Sequence, residues 1–249
     1  MDVDAVVELF RGIAGEIRSG LDDLDDWGFS GGHPGQYFHD VVADEIAVPL
    51  LLDAGLGVIS EESGNEGLDR PIVAIVDPID GSTNASLGIP WFATSLSAID
   101  SEGLLAALVC NQATGVTYVA ARGLGAECDG VPIKPSGKSA LEDSILVFNG
   151  LPSKYLGWKQ YRSLGSAALD LCGVADGSFD GYVDFSSGLA LWDYSGAALI
   201  CYEAGVTITD IFGQELLLNS LRATPSSRIQ LVAAGNKTLH QTLLDAVEV

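Results

Sequence analysis

A chain of 249 residues, 47% of them apolar, is long enough for one large domain or two half-domains sharing a core. Its formal net charge of −22 reflects 34 acids against only 12 Lys and Arg. Such a surface repels nucleic acid and anionic membrane, since both need basic side chains, and it repels anionic substrates unless a local cation such as a bound metal reverses the field. Adaptation to high salt would leave the same balance. No run reaches the roughly 18 apolar residues of a membrane span, and the acidic start Met1-Asp2-Val3-Asp4 is unlike a secretion signal, so a cytoplasmic protein is expected.

In chain order, Val3, Val6, Val7, Phe10, Ile13, Ala14, Ile17 and Leu21 recur at helical spacing. They predict a helix over 2–19, with Asp2 and Asp4 suiting its start and Arg18 and Gly20 its end. Residues 22–39 are rich in Asp, Gly and aromatics and include Gly31-Gly32-His33-Pro34-Gly35. They read as a long loop at the mouth of a site. A second helix is expected over 39–54, kinked or stopped near Pro49. Asp44 on it reads, taken alone, as a solvated residue. Leu56–Ile59 is a short strand ending in Ser60-Glu61-Glu62-Ser63-Gly64, and one of the two adjacent acids should point inward.

The β-branched run Pro71–Val76 reads as a buried strand that delivers Asp77-Pro78-Ile79-Asp80-Gly81-Ser82-Thr83-Asn84. Two carboxylates on a rigid turn can face one cation, and the N–H groups after them can face an anion. A plain Asx/Gly turn between strands is the other reading, and both stay open on this stretch alone. Trp91–Asp100, Leu104–Asn111 and Val116–Ala121 then read as an antiparallel meander. The polar linker 132–142 divides the chain into halves, about 1–135 and 136–249.

The second half reads as strand Ser144–Phe148, an irregular stretch 149–161, helix Gly165–Ala175 and strand Tyr182–Phe185. Helix Ala190–Ala204 follows, with Asp193 near its start and Gly205 at its end; strands Val206–Ile211 and Ile229–Ala234 and a closing helix Thr238–Val247 complete it. Asp193 has a sufficient reading as an acid favoured by the helix dipole. Cys110, Cys128, Cys172 and Cys201 are widely spaced and read as reduced, mostly buried thiols; His33, His39 and His240 are too few for a histidine metal site.

Three stretches, Ile59-Ser60-Glu61-Glu62-Ser63, Asp77-Pro78-Ile79-Asp80-Gly81-Ser82-Thr83-Asn84 and Trp192-Asp193-Tyr194-Ser195-Gly196-Ala197 with Glu203-Ala204-Gly205 after it, together resemble the inositol monophosphatase family. That family hydrolyses phosphate monoesters with magnesium and belongs with the fructose 1,6-bisphosphatases. The resemblance runs from the first helix to the last. It implies an α+β fold, a layered α-β-α-β-α sandwich, as a single catalytic domain over 1–249. It implies Glu61, Asp77, Asp80, Asp193 and the carbonyl of Ile79 as ligands of two or three Mg²⁺ ions. Ser82 would help position the attacking water, with Asp44 hydrogen-bonded to its hydroxyl and Glu61 sharing the activation. Gly81, Ser82 and Thr83 would hold the phosphate through backbone N–H groups. Gly165, Ser166 and Ala167 would border the alcohol part, and Asp184 would accept hydrogen bonds from substrate hydroxyls. Lithium sensitivity and a homodimer are implied as well.

The residue types fit that chemistry independently, because carboxylates and a carbonyl are hard ligands suited to Mg²⁺. Ser60 stands where the family usually has Gly, and Val206 where a second Gly is common. The loop Phe185–Leu191 carries no base, so a second phosphate would meet an unrelieved acidic surface. A small-molecule monophosphate is therefore expected, inositol 1-phosphate first. Histidinol phosphate is the leading rival, other sugar or nucleotide monophosphates are further alternatives, and fructose 1,6-bisphosphate should be a poor substrate. The reading from a different class is a catalytically silent relative that binds metal.

Overall fold

The computed structural model describes residues 1–32, 35–216 and 227–247, so His33 and Pro34 of the predicted loop lie outside them. Five layers alternate helix and sheet. The first layer is α1 (Val3–Asp22) with α2 (Phe38–Asp53). Asp2 caps α1 by accepting from Ala5 N at 2.8 Å, and Val6, Phe10, Ile13, Ile17 and Leu21 form the predicted buried stripe. α2 runs through Pro49 instead of stopping there. Buried Ala43, Ala47 and Leu51 hold the helix on both sides of the missing hydrogen bond.

The second layer is an eight-stranded sheet. Its order is β2 (Gly64–Glu66), β1 (Gly57–Ser60), β3 (Val73–Asp80), β4 (Ala93–Asp100), β5 (Gly103–Asn111), β6 (Thr117–Ala121), β7 (Gly125–Cys128) and β8 (Val131–Pro132). β1 and β3 are parallel and the rest of the sheet is antiparallel. Both faces are covered, which is why the β3 run is apolar without alternation. Ala74 and Val76 join the core under α1 and α2, while Val73 and Ile75 join the core on the other side. The short helix α3 (Ser82–Leu87) follows β3 directly.

The middle layer is α4 (Ala167–Ala175) with α5 (Leu191–Ala204). α4 is buried along its whole length, as is most of α5, because a sheet lies on each side. The fourth layer is the second sheet, in the order β10 (Gln160–Arg162), β9 (Ile145–Asn149), β11 (Gly181–Asp184), β13 (Leu231–Ala234) and β12 (Thr207–Asp210). α6 (Lys237–Val247) closes the outer face through Leu239, Leu243 and Leu244. The α-β-α-β-α sandwich expected from the motifs is the observed fold. β2, β7, β8 and β10 have no counterpart in the sequence reading; all four are short, β2, β8 and β10 are fully exposed and β7 buries only Ala126, so little buried face wrote a pattern into them. No helix among the described residues is long and apolar enough to cross a membrane.

Candidate active site

β1 and β3 run side by side with Ser60 opposite Val76, so both end on one rim of the first sheet. Glu61 follows at once, its N–H donating to Val76 O at 3.2 Å. At the end of β3 the ladder to β4 takes in one extra residue: Asp77 pairs with Ser95, but Asp80 pairs with Ala93. Pro78, which has no N–H to give the ladder, sits in this bulge, and its carbonyl accepts the Thr94 hydroxyl at 2.8 Å. In a regular strand, residues three apart face opposite ways. The inserted residue returns Asp80 to the side of Asp77. Asp193 arrives from the other half, in the first turn of α5, with Oδ2 accepting Ala190 N at 2.7 Å.

Carboxylate oxygens of Glu61, Asp77 and Asp193 lie within 4.8 Å of one another. Asp77 is buried, and its Oδ1 has no hydrogen-bond partner among the described residues. Asp80 Oδ2 accepts from Ser166 Oγ at 2.6 Å and Ala168 N at 2.7 Å, which ties the rim to the start of α4. Burial is the largest influence on all four acids. Together with the charges of Asp193, Glu62 and Asp80 it raises Glu61 to about 8. Asp77 is driven well above its usual range by burial and by the Glu61 and Asp80 charges. Asp80 is raised to about 7 and Asp193 to about 6. Acids packed so closely, one of them orphaned, are what a hard divalent cation relieves. The donor set, all oxygen, fits such an ion, and the Ile79 carbonyl adds a further oxygen.

Ser82 Oγ lies 2.7 Å from Asp40 Oδ1 and 2.7 Å from the Ile79 carbonyl oxygen, so one hydroxyl hydrogen serves two acceptors. The expected Asp44–Ser82 bond is corrected here: the carboxylate beside Ser82 is Asp40. Asp40 and Asp44 are one helical turn apart on the same face of α2, and the earlier one reaches the β3–α3 turn. Asp44 lies nearer the end of β1, where the Ser60 hydroxyl donates to its Oδ1 in a short hydrogen bond. Ser60, noted as a departure from the family pattern, is thus the partner of Asp44.

Gly81 has φ 91°, and a Cβ there would come within 3.0 Å of Gly165 O and 3.1 Å of Trp91 O. The turn therefore requires glycine. It starts α3, whose first N–H groups, those of Ser82 and Thr83, have no acceptor within the helix. Asn84 fastens this turn to the second half, its Nδ2 donating to Trp91 O at 2.8 Å and Leu164 O at 2.7 Å. Of the three residues expected beside the substrate alcohol, only Gly165 is exposed; Ser166 and Ala167 are buried, and Ser166 is committed to Asp80 and to capping α4.

Asp184 is fully buried, with Oδ1 accepting Ser186 N at 2.8 Å and Oδ2 unpartnered among the described residues. As it stands the carboxyl is closed to a substrate hydroxyl. The expectation that nothing basic lies near this loop is also corrected. Arg228, just before β13, donates from Nη1 to Gly188 O at 3.2 Å and lies 3.8 Å from Asp193 Oδ2. Its guanidinium holds down the carboxyls of both Asp184 and Asp193 against the push of burial. Arg228 lies 35 residues after Asp193, so only the antiparallel return of β13 beside β11 brings it here. Asp40 did carry a local signal, since the third helical residue commonly receives the N–H of the residue before the helix; Tyr37 N donates to Asp40 Oδ2 at 2.9 Å.

The profile of the inositol monophosphatase family matches residues 52–248. A protein of Archaeoglobus fulgidus named fructose-1,6-bisphosphatase/inositol-1-monophosphatase is 32% identical over 259 aligned positions, covering 100% of both chains. An inositol-1-monophosphatase of Mesorhizobium japonicum is 34% identical, over 86% of this chain and 84% of that one. The solved structure of a Pyrococcus horikoshii protein, described as hypothetical with similarities to inositol-1 monophosphatase, matches with a TM-score of 0.86 at 26% identity, over 98% of this chain and 100% of that one. Profile, relatives and fold agree with the acidic rim on where this chain stands: it belongs to the inositol monophosphatase family, a family of phosphoric monoester hydrolases.

Proposed function

We propose that the protein hydrolyses small phosphate monoesters with Mg²⁺, by direct attack of water and without a covalent intermediate. The observation that carries this is the convergence of Glu61, Asp77 and Asp193 from both halves of the chain, with one buried oxygen unpaired among the described residues. Glu61, Asp77, Asp80, Asp193 and the Ile79 carbonyl would hold the ions. Bound there, Mg²⁺ supplies charge neutralisation for the phosphate and makes a water more acidic. The rest falls to the chain. The N–H groups of Gly81, Ser82 and Thr83 hold the phosphate oxygens at the start of α3. The Ser82 hydroxyl gives its hydrogen to Asp40, leaving its lone pairs to accept one from the attacking water and fix its position. Glu61, at the solvent edge, accepts the water's other proton. None of these groups is a Cys or His, and His39 beside Asp40 is fully buried, so nothing among the described residues favours a cysteine or histidine phosphoenzyme.

Inositol 1-phosphate is the first substrate proposed. Arg228 partly neutralises the alcohol side of the pocket, which favours a polyol over the ammonium of histidinol phosphate. The same arginine supports a second reading, turnover of fructose 1,6-bisphosphate, the reaction in the name of the Archaeoglobus relative. Phosphate release from the three compounds and from an aryl phosphate, with and without Mg²⁺, tests both. Turnover of at least one ester with Mg²⁺, inhibited by tens of millimolar Li⁺, is expected; no turnover of any of them sinks the proposal. The kcat/KM order decides between monophosphate and bisphosphate.

A further inference from the structure

The aromatic loop ahead of α2 has no part in the reaction described so far, and neither has the fully buried His39 beneath it. The imidazole is clamped between Trp27 and Tyr37, with ring centroids 5.2 Å and 5.0 Å away, and Phe29 stacks on Tyr37 at 4.4 Å. The loop is closed over it by Phe38 N donating to Gly28 O and Ser30 N to Gln36 O, each at 3.0 Å. Neither ring nitrogen meets a well-formed hydrogen-bond partner among the described residues. Nε2 lies 3.5 Å from Asp40 Oδ1, the oxygen that accepts from Ser82, and the ring also faces the Ser82 backbone.

A buried imidazole that only fills space would still need its polar atoms matched. Here its charged neighbour is the carboxylate on which the Ser82 hydroxyl depends. Burial lowers the pKa of His39 to about 4, so the ring is neutral and carries a single N–H. The Asp40 carboxylate and the Ser82 carbonyl both face the ring and both only accept, and the single hydrogen serves Asp40 when it sits on Nε2. Tyr37 N holds the other oxygen of Asp40 at 2.9 Å.

We propose that His39 is a positioning residue for the Asp40–Ser82 pair: its Nε2–H, aimed by the aromatic clamp, keeps the Asp40 carboxylate turned toward the Ser82 hydroxyl. This rests on the phosphatase reading above. His39→Phe keeps the stack and removes the donor. His39→Gln keeps a donor near the place of Nε2. His39→Phe should lower kcat about 10- to 100-fold, the usual cost of losing an outer partner of a site residue. KM and the Mg²⁺ half-saturation should stay within about threefold, and His39→Gln should recover most of kcat. In a Ser82→Ala background, His39→Phe should change kcat little further, since both act on one pair. A folded His39→Phe enzyme with wild-type kcat, or a His39→Gln enzyme no better than His39→Phe, overturns the proposal. Imidazole ¹⁵N resonances of the wild-type protein give a second reading that needs no variant to fold. The Nε2–H tautomer of His39 at pH 7 is expected, and the Nδ1–H tautomer overturns the proposal. If the wild type hydrolyses no phosphate ester, the phosphatase reading fails, while the resonances still report on the His39–Asp40 contact.

Discussion

Two groups of acids in this molecule, one on α2 and one on the rim of the first sheet, are treated in opposite ways. On α2, Asp40 and Asp44 each receive a hydroxyl hydrogen, from Ser82 and from Ser60. On the sheet rim, Glu61, Asp77, Asp80 and Asp193 crowd together, and Asp77 keeps an oxygen without a donor among the described residues. Asp40, Asp44 and Asp77 are all buried while Glu61 on the rim is exposed, so charge and burial alone do not distinguish the groups. Crowding does. The rim acids also have donors, Ser166 and Ala168 on Asp80 and Ala190 on Asp193, but oxygens of three of them come within 4.8 Å of one another, and a cluster of that kind is built to receive a cation.

The sharpest way to break this distinction is to neutralise one acid from the rim. Asp193→Asn should leave the fold intact and cut kcat by roughly 10³-fold, the equivalent of several kcal/mol of charge stabilisation at the transition state. A folded variant with near-normal kcat would remove Asp193 from the site. The α2 acids test the other arm. Asp40→Asn should lower kcat by roughly 10²-fold, the lower end of what positioned acid–base groups contribute. Asp44→Asn should cost less than about tenfold and act mainly on stability. The reverse order would restore Asp44 to Ser82.

What could be read in the sequence divides along the same line. The rim motifs are contiguous, so the strand, the Asp77–Asp80 turn and the glycine at 81 were all visible as local chemistry. Asp40 and Asp44 satisfy the same helical spacing, and only the placement of α2 against β1 and β3 decides which of them meets Ser82. Arg228 was invisible for a different reason. It reaches Asp193 through the pairing of β13 with β11, a contact that the bases missing from the 185–191 loop could not reveal.

Smaller effects sharpen the comparison further. In the metal-free protein the rim acids have folded-state pKa values of about 8, 7 and 6 for Glu61, Asp80 and Asp193, against roughly 4 when unfolded. Raised values mean that the folded state binds more protons, so stability falls as pH rises through this window. The Tm of the metal-free protein should therefore fall between about pH 6 and 8 and recover on adding Mg²⁺. Burial depresses the pKa values of His39 and His240, so their linkage acts on the acid side and does not mask the trend. A metal-free Tm that rises over this range would contradict the picture of acids crowded together without a cation. The smallest effect belongs to Arg228, half-exposed beside Asp193. Arg228→Ala removes a competing cation, and a contact of this kind is worth at most about 1 kcal/mol, so Mg²⁺ affinity should tighten by no more than about fivefold. Weaker Mg²⁺ binding in Arg228→Ala would mean that the arginine supports the cation site instead of opposing it.

Calorimetric titration of chelator-treated protein with Mg²⁺, run at pH 7 and pH 9 in buffers of different ionisation enthalpy, measures the central claim directly. Protons held by the crowded rim acids must leave when the cation enters. Binding at pH 7 with release of a substantial fraction of a proton or more, falling toward zero at pH 9 and abolished in Asp77→Asn, is the predicted result. Absence of Mg²⁺ binding, or binding without proton release at pH 7, would contradict it.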